Sequence, residues 1–225
     1  MSALCSRLFM LILAPLLTVA IADAGTLRGT VRTPGAQAAP TSMNAYPGRA
    51  SSMAGMHMPP HGLASDAVVW LEHVPAAAES LLAAASHTRP KLAQKDQCFS
   101  PRVVVVAAGG SVDFPNMDPI YHNVFSVSKP KRFDLGKYPR GQSRMVQFPK
   151  AGLVNVYCDI HSDMAAFILV VPTHAFTQPD AEGAFTIAGL PAGRFTLHVW
   201  HPDLAEVVRE VEIPADGAKE VEVRL

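Results

Sequence analysis

The chain has 225 residues, 49% of them hydrophobic, and its 19 basic residues balance 19 acidic ones, so the formal net charge is zero. That balance removes any electrostatic basis for binding nucleic acid or an anionic lipid surface. The length suits one large domain or two small ones.

The N-terminus reads as an export signal. Arg7 gives a short basic region, Leu8 to Ala22 carries no charge, and Ala22-Asp23-Ala24 offers small residues for cleavage after Ala24. The apolar run is short for a membrane span and is interrupted by Pro15. Cys5 leaves with the signal, so the expected mature protein is exported, periplasmic and without a membrane span. It keeps two cysteines, Cys98 and Cys158.

Residues 25–33 alternate at Leu27, Gly29 and Val31, the pattern of a strand with one buried face. Residues 34–65 show no period and are expected as a long loop. Met53, Met56, His57, Met58 and His61 crowd its second half. Thioethers and imidazoles at that density suit weak copper binding, but a disordered linker in which the methionines are incidental is the preferred explanation. Asp66–Glu72 is a second strand, with Val68 and Trp70 or Val69 and Leu71 as alternative inward sets. The Ala-rich run Pro75–Ser86 is either a short helix or a loop.

From there to residue 171 the chain is a series of short β-runs separated by Pro and Gly: 102–107, 111–114, 122–127, 143–148, 153–158 and 165–171. Four further strands are expected in the tail, at 184–187, 194–200, 207–213 and 219–225, with turns at 180–183, 189–193 and 214–217. These are too many strands for one compact barrel, and no internal repeat is evident. The predicted class is all-β.

The chemistry concentrates in Tyr157-Cys158-Asp159-Ile160-His161-Ser162-Asp163-Met164, a C-x-x-H-x-x-M pattern between two predicted strands. A second imidazole, His122, stands upstream in Tyr121-His122-Asn123-Val124. Two imidazoles and a thiolate in a plane, with a weak axial thioether, hold copper for one-electron transfer. Asn123, next to His122, is placed to bond across to the Cys-bearing loop and fix both in an outer shell.

The competing structural explanation is a Cys98–Cys158 disulfide, the default for paired cysteines in an oxidising compartment. It leaves His122, His161 and Met164 at ligand spacing without a reason. Zinc would use the two His and the Cys but gains little from a thioether. His198 and His201 form a looser cluster that reads as packing and surface residues rather than a second metal site. No nucleophile motif, phosphate loop or paired-carboxylate pattern supports an enzyme.

Residues 97–171 resemble a cupredoxin of the plastocyanin/azurin superfamily. The likeness rests on Val112-Asp-Phe-Pro-Asn116, His122-Asn123-Val124, the apolar strand ending in Tyr157-Cys158, and the ligand loop. The two-residue gap between His161 and Met164 is similar to that of amicyanin. The longer run, with Phe133-Asp-Leu-Gly136 and Tyr138-Pro, is similar to bacterial proteins labelled methylamine utilisation or plastocyanin-like. The resemblance implies a single type 1 (blue) copper ion held by His122, Cys158, His161 and Met164. It also places His161 near the surface, amid Pro119, Ile120 and Ala165, as the electron port.

The flanks look like a different family. Gly29-Thr-Val-Arg, Asp66-Ala-Val-Val-Trp-Leu and Asp180-Ala-Glu-Gly183-Ala-Phe-Thr-Ile, followed by Leu190-Pro-Ala-Gly193, are similar to a carboxypeptidase-regulatory-like (transthyretin-like) β-sandwich. Those pieces are normally consecutive there. The expected organisation is therefore a signal (1–24), a first part of the host sandwich (25–75), a linker (76–96), a cupredoxin Greek-key β-sandwich (97–171) and the rest of the smaller host sandwich (172–225).

The expected function is periplasmic electron transfer with a redox partner such as a c-type cytochrome or a periplasmic dehydrogenase. The alternatives are a copper chaperone or storage protein of the cell envelope, using residues 53–61, and a structural β-sandwich with a vestigial site.

Overall fold

The computed structural model describes residues 24–35, 62–86 and 89–225. The export segment, the Met/His stretch 53–61 and His87 therefore lie outside the described residues. The described chain is all-β apart from one helix, and its strands form four stacked layers.

Two adjacent layers, the outer unit in sequence, use strands from both ends of the chain. β1 (Gly25–Arg32), β13 (Ala184–Leu190) and β16 (Ala218–Arg224) make one sheet, with β1 central, antiparallel to β13 and parallel to β16. β2 (Val68–Glu72), β12 (Phe176–Thr177), β14 (Gly193–His201) and β15 (Leu204–Ile213) make the facing sheet in the order β12-β2-β14-β15. Leu27, Val31, Val69, Leu71, Ile187, Leu197 and Ile213 fill the space between them. The single helix, α1 (Ala76–Ala85), docks on this unit through Leu82, and Glu79 accepts hydrogen bonds from the His174 backbone N–H at 2.8 and 3.0 Å. The 180–183 turn is built as its sequence indicates. Asp180 Oδ1 accepts from the N–H groups of Glu182 and Ala184, and Gly183 sits at φ +88°, where any Cβ would run into the Val31 carbonyl.

The inner unit lies between these pieces in sequence. β5 (Val103–Ala107), β7 (His122–Ser126), β8 (Phe133–Tyr138), β10 (Gly152–Tyr157) and β11 (Ala165–Val171) form a sheet in the order β5-β11-β10-β7-β8. β6 (Ser111–Pro115) pairs with β9 (Ser143–Gln147), and β3 (Ala93–Lys95) with β4 (Cys98–Ser100). Phe114, Val124, Tyr138, Phe148, Val156 and Ile168 are fully buried in the core they share. Leu92 belongs to that core as well, so the unit starts before residue 97.

A third apolar layer joins the two units. Val68 and Trp70 of β2 meet Val103 and Val105 of β5 and Leu169 and Val171 of β11. β2 is thus buried on both faces, and its two alternative inward sets are both correct, each serving a different core. β5 and β11 are sandwiched in the same way, which is why they read as unbroken apolar runs, VVVVA and AAFILVV.

Candidate metal centre

Strand pairing brings the site together. β7 runs antiparallel to β10, with Tyr157 opposite Phe125, so the start of β7 and the end of β10 meet at one end of the sheet. His122 opens β7, and Cys158 directly follows β10. Residues 158–164 form the connection from β10 to β11, which are already paired at Tyr157 and Ala165. Two backbone bonds tighten that loop: Cys158 N–H to the Met164 carbonyl at 3.3 Å, and Met164 N–H to the His161 carbonyl at 3.1 Å.

His122, Cys158 and His161 converge. Cys158 Sγ lies 4.0 Å from His122 Nδ1 and 3.9 Å from His161 Nδ1, and the two imidazole rings are 4.8 Å apart between centroids. An ion that binds nitrogen at about 2.0 Å and sulfur at about 2.3 Å can bridge such donors across at most ~4.3 Å. Both N–S separations fall within that reach, so the donor set fits a first-row transition metal. Cys158 and His122 are fully buried, and Met164, 1% exposed, packs in the same core as Cys158. His161 alone of the four is partly open to solvent. Burial, and then the neighbouring His122, push the His161 pKa down, so its imidazole stays neutral and able to ligate.

Asp118, outside the C-x-x-H-x-x-M motif, completes the arrangement. His122 Nε2 is 2.7 Å from Asp118 Oδ2, and both groups are buried. A carboxylate only accepts, so Nε2 carries the proton and Nδ1 presents its lone pair toward Cys158. Burial alone would raise the Asp118 pKa, but hydrogen bonds from the Gln97 backbone, from His122 and from the Asp96 backbone outweigh it and hold the carboxyl below its usual range. Asn116 supports this corner by accepting from Asp118 N–H and donating to the carbonyls of Ile120 and Tyr138, each at 2.9 Å. The only sequence signal was an Asp four residues before a His, which is weak by itself.

The bridging role expected of Asn123 is not what the structure shows. Its Nδ2 donates at 2.7 Å to Asp134 Oδ1 on β8, away from the Cys-bearing loop. A charged acceptor on the paired strand makes the stronger bond. Asn123 Oδ1 is buried and has no partner among the described residues.

Cys98 and Cys158 are both thiols rather than a disulfide. Burial, and then the carboxylates of Asp118 and Asp96, push the Cys98 thiol pKa up, which disfavours the thiolate that disulfide exchange needs. His198 and His201 do not form a shared site. His198 stacks on Trp70 at 4.7 Å and pairs with Glu206 at 2.8 Å. His201 is buried, with Nε2 3.1 Å from the Leu63 carbonyl and Nδ1 accepting from Asp203 N–H. Among the described residues no helix is long and apolar enough to cross a membrane.

No protein-family profile matches the chain, and no curated protein matches it. Among solved structures it is similar to a copper-containing nitrite reductase from Thermus scotoductus SA-01, with 24% identity and a TM-score of 0.36 over 37% of this chain. That match spans only 22% of the reductase. It is also similar to amicyanin from Paracoccus versutus, with 19% identity and a TM-score of 0.35 over 40% of this chain and 88% of that one. A purple cupredoxin from Nitrosopumilus maritimus shares 23% identity at a TM-score of 0.31, over 33% of this chain and 83% of that one. These similarities are too distant to assign a chemistry, which rests instead on the donor set.

Proposed function

We propose that the protein is an exported, periplasmic electron carrier with one type 1 copper ion held by His122, Cys158, His161 and Met164. The observation that carries this reading is the approach of two imidazole Nδ1 atoms to one buried thiol, at 4.0 and 3.9 Å, beside a buried methionine. Copper in such a set supplies a one-electron couple, whereas zinc would draw nothing from the thioether.

The chain's own residues account for the rest. His122, Cys158 and Met164 are withheld from water, and the strand pairing of β7, β10 and β11 holds them so that little rearrangement accompanies a change of charge. His161, at the surface edge, is the point of electron entry and exit. Exposed apolar side chains lie next to the ligands in sequence: Met117, Ile120 and Tyr121 before His122, and Ile160 before His161. Such a rim suits brief docking of a redox protein, for which a c-type cytochrome or a periplasmic dehydrogenase is the proposed partner. The shared sheets of β1, β2 and β12 to β16 support the inner unit as an insertion in a transthyretin-like host sandwich.

The test is to load the mature protein with Cu(II) and record its visible spectrum. An intense thiolate-to-copper charge-transfer band, abolished in Cys158→Ser, is expected. Tight Cu(I) binding without that band would indicate the storage or chaperone role, and binding of neither ion would leave a structural module.

A further inference from the structure

Asp118 is only 4% exposed, yet it carries a carboxylate into the wall of the donor set. Its Oδ2 accepts from Gln97 N–H at 2.9 Å and lies 2.7 Å from His122 Nε2, while Oδ1 accepts from Asp96 N–H at 2.6 Å. The two backbone donors come from the turn between β3 and β4, where Asp96 and Gln97 stand at φ 54° and 57°. Two adjacent non-glycine residues in the left-handed region are uncommon and costly. Here that conformation aims both N–H groups at one carboxylate.

We propose that Asp118 is a positioning residue that biases the copper site toward Cu(II), by fixing His122 with Nδ1 facing Cys158 and by placing a negative charge on the far side of that imidazole. A backbone carbonyl at the same place would fix the tautomer equally well. Only a carboxylate adds charge, which makes the imidazole a stronger donor and stabilises the more highly charged metal state. The β3–β4 turn is part of the device, because its N–H groups hold the carboxylate in the apolar core without neutralising it. The inference rests on the copper reading above and adds to it the residue that sets the site's poise.

Removing an outer-shell partner of this kind shifts metal affinity by about 10–100-fold. A tenfold loss of Cu(II) relative to Cu(I) raises a one-electron potential by about 59 mV. The experiment measures the reduction potential of the copper-loaded protein and of Asp118→Asn, together with nitrogen-15 NMR of the His122 ring in the copper-free protein and in Asp118→Ala. A blue Asp118→Asn protein with its potential raised by at least that amount supports the proposal, and an unchanged potential overturns it.

The NMR arm needs no metal. A slowly exchanging Nε2–H in the native protein, lost in a folded Asp118→Ala, supports the positioning role even if the native protein takes up no copper, an outcome that would sink only the functional reading. An Nε2–H that persists in Asp118→Ala, or that is missing from the native protein, overturns the positioning role. Should Asp118→Ala fail to fold, the same ring signal is read in Asp118→Asn, where accelerated Nε2–H exchange is expected and unchanged exchange counts against the role.

Discussion

Arg102 and Asp203, 101 residues apart in the chain, meet through two parallel hydrogen bonds of 2.7 Å. The guanidinium, 6% exposed, also reaches Asp66 at 3.2 Å, so one cation from the inner unit is shared by two carboxylates of the outer one. The same guanidinium lies 5.3 Å from the centre of the Phe167 ring. A bidentate pair of this geometry fixes orientation as well as contact, and it clamps the edge of the apolar layer between the units.

Removing one partner of a buried pair costs about 3–5 kcal/mol, because the remaining charge is left without compensation. Asp203 is 29% exposed and Asp66 stays in place. The lower end, about 3 kcal/mol, is therefore expected for Asp203→Ala. Urea unfolding of the copper-free protein measures it, as a lower midpoint with an unchanged slope. A loss under about 1 kcal/mol would mean that the pair behaves like a solvated surface bridge.

His201 gives the copper-free protein a pH dependence of definite sign. Burial lowers its pKa from 6.5, and Arg102 adds to the effect, against opposing contributions from the Leu63 carbonyl, Asp203 and Asp66. Its Nδ1 accepts a hydrogen bond from Asp203 N–H, which protonation would abolish. The folded state therefore binds its proton less readily than the unfolded chain, whose value stays near 6.5. Between the folded value and 6.5 the unfolded chain holds more protons, so stability present above that window is lost as pH falls through it. His161 is shifted the same way, so the comparison is between native protein and His201→Asn. The variant should show a shallower fall in denaturation midpoint below neutrality, and equal slopes would refute the assignment.

Much of this architecture is legible in the chain, and what is not has identifiable physical reasons. Alternation located most strands and showed that the tail has a rhythm unlike the middle, because those strands bury one face each. At β2 alternation could not choose a face, since Val69 and Leu71 enter one core while Val68 and Trp70 enter another. No expected strand covers β3, β4, β8 or the two-residue β12. β8 is mostly exposed and contains Gly136, and β3 and β4 span three residues each, too short for any period. In the site, Cys158, His161 and Met164 were visible because one loop carries them. Asp118 was not, because its role depends on the β3–β4 turn that holds it, a tertiary relationship with no periodic or motif signature.

Trp70 tests the layer between the units. It is 7% exposed, belongs to the layer with Val103, Val105 and Leu169, and stacks on His198. Truncating a buried Trp to Ala costs about 3–5 kcal/mol. Because the loss falls between two sheets rather than inside either core, Trp70→Ala should weaken the coupling between the units as well as total stability. Fluorescence and far-UV circular dichroism are expected to give coincident urea transitions in the native protein and separated ones in the variant. Coincident curves in both would show that the two units unfold together even without this contact.

Met164 tests the fourth donor. Its side chain is buried in the core with Cys158, and its backbone closes the loop through bonds with Cys158 and His161. Met164→Leu keeps nearly the same volume, so the backbone closure and the fold should survive with a cost under about 1.5 kcal/mol. On the proposed copper reading the three remaining donors would still hold the ion, and the visible band should persist. If Met164 gives the ion a weak thioether contact, its loss would withdraw electron density that favours Cu(II), so the potential should rise. Met164→Gln, which offers a harder oxygen, should lower it. A tenfold change in relative affinity corresponds to about 59 mV, and direct electrochemistry resolves shifts of that size. Opposite shifts in the two variants identify Met164 as a donor to the metal. Equal potentials in all three proteins would assign it to core packing and leave the centre with His122, Cys158 and His161 alone.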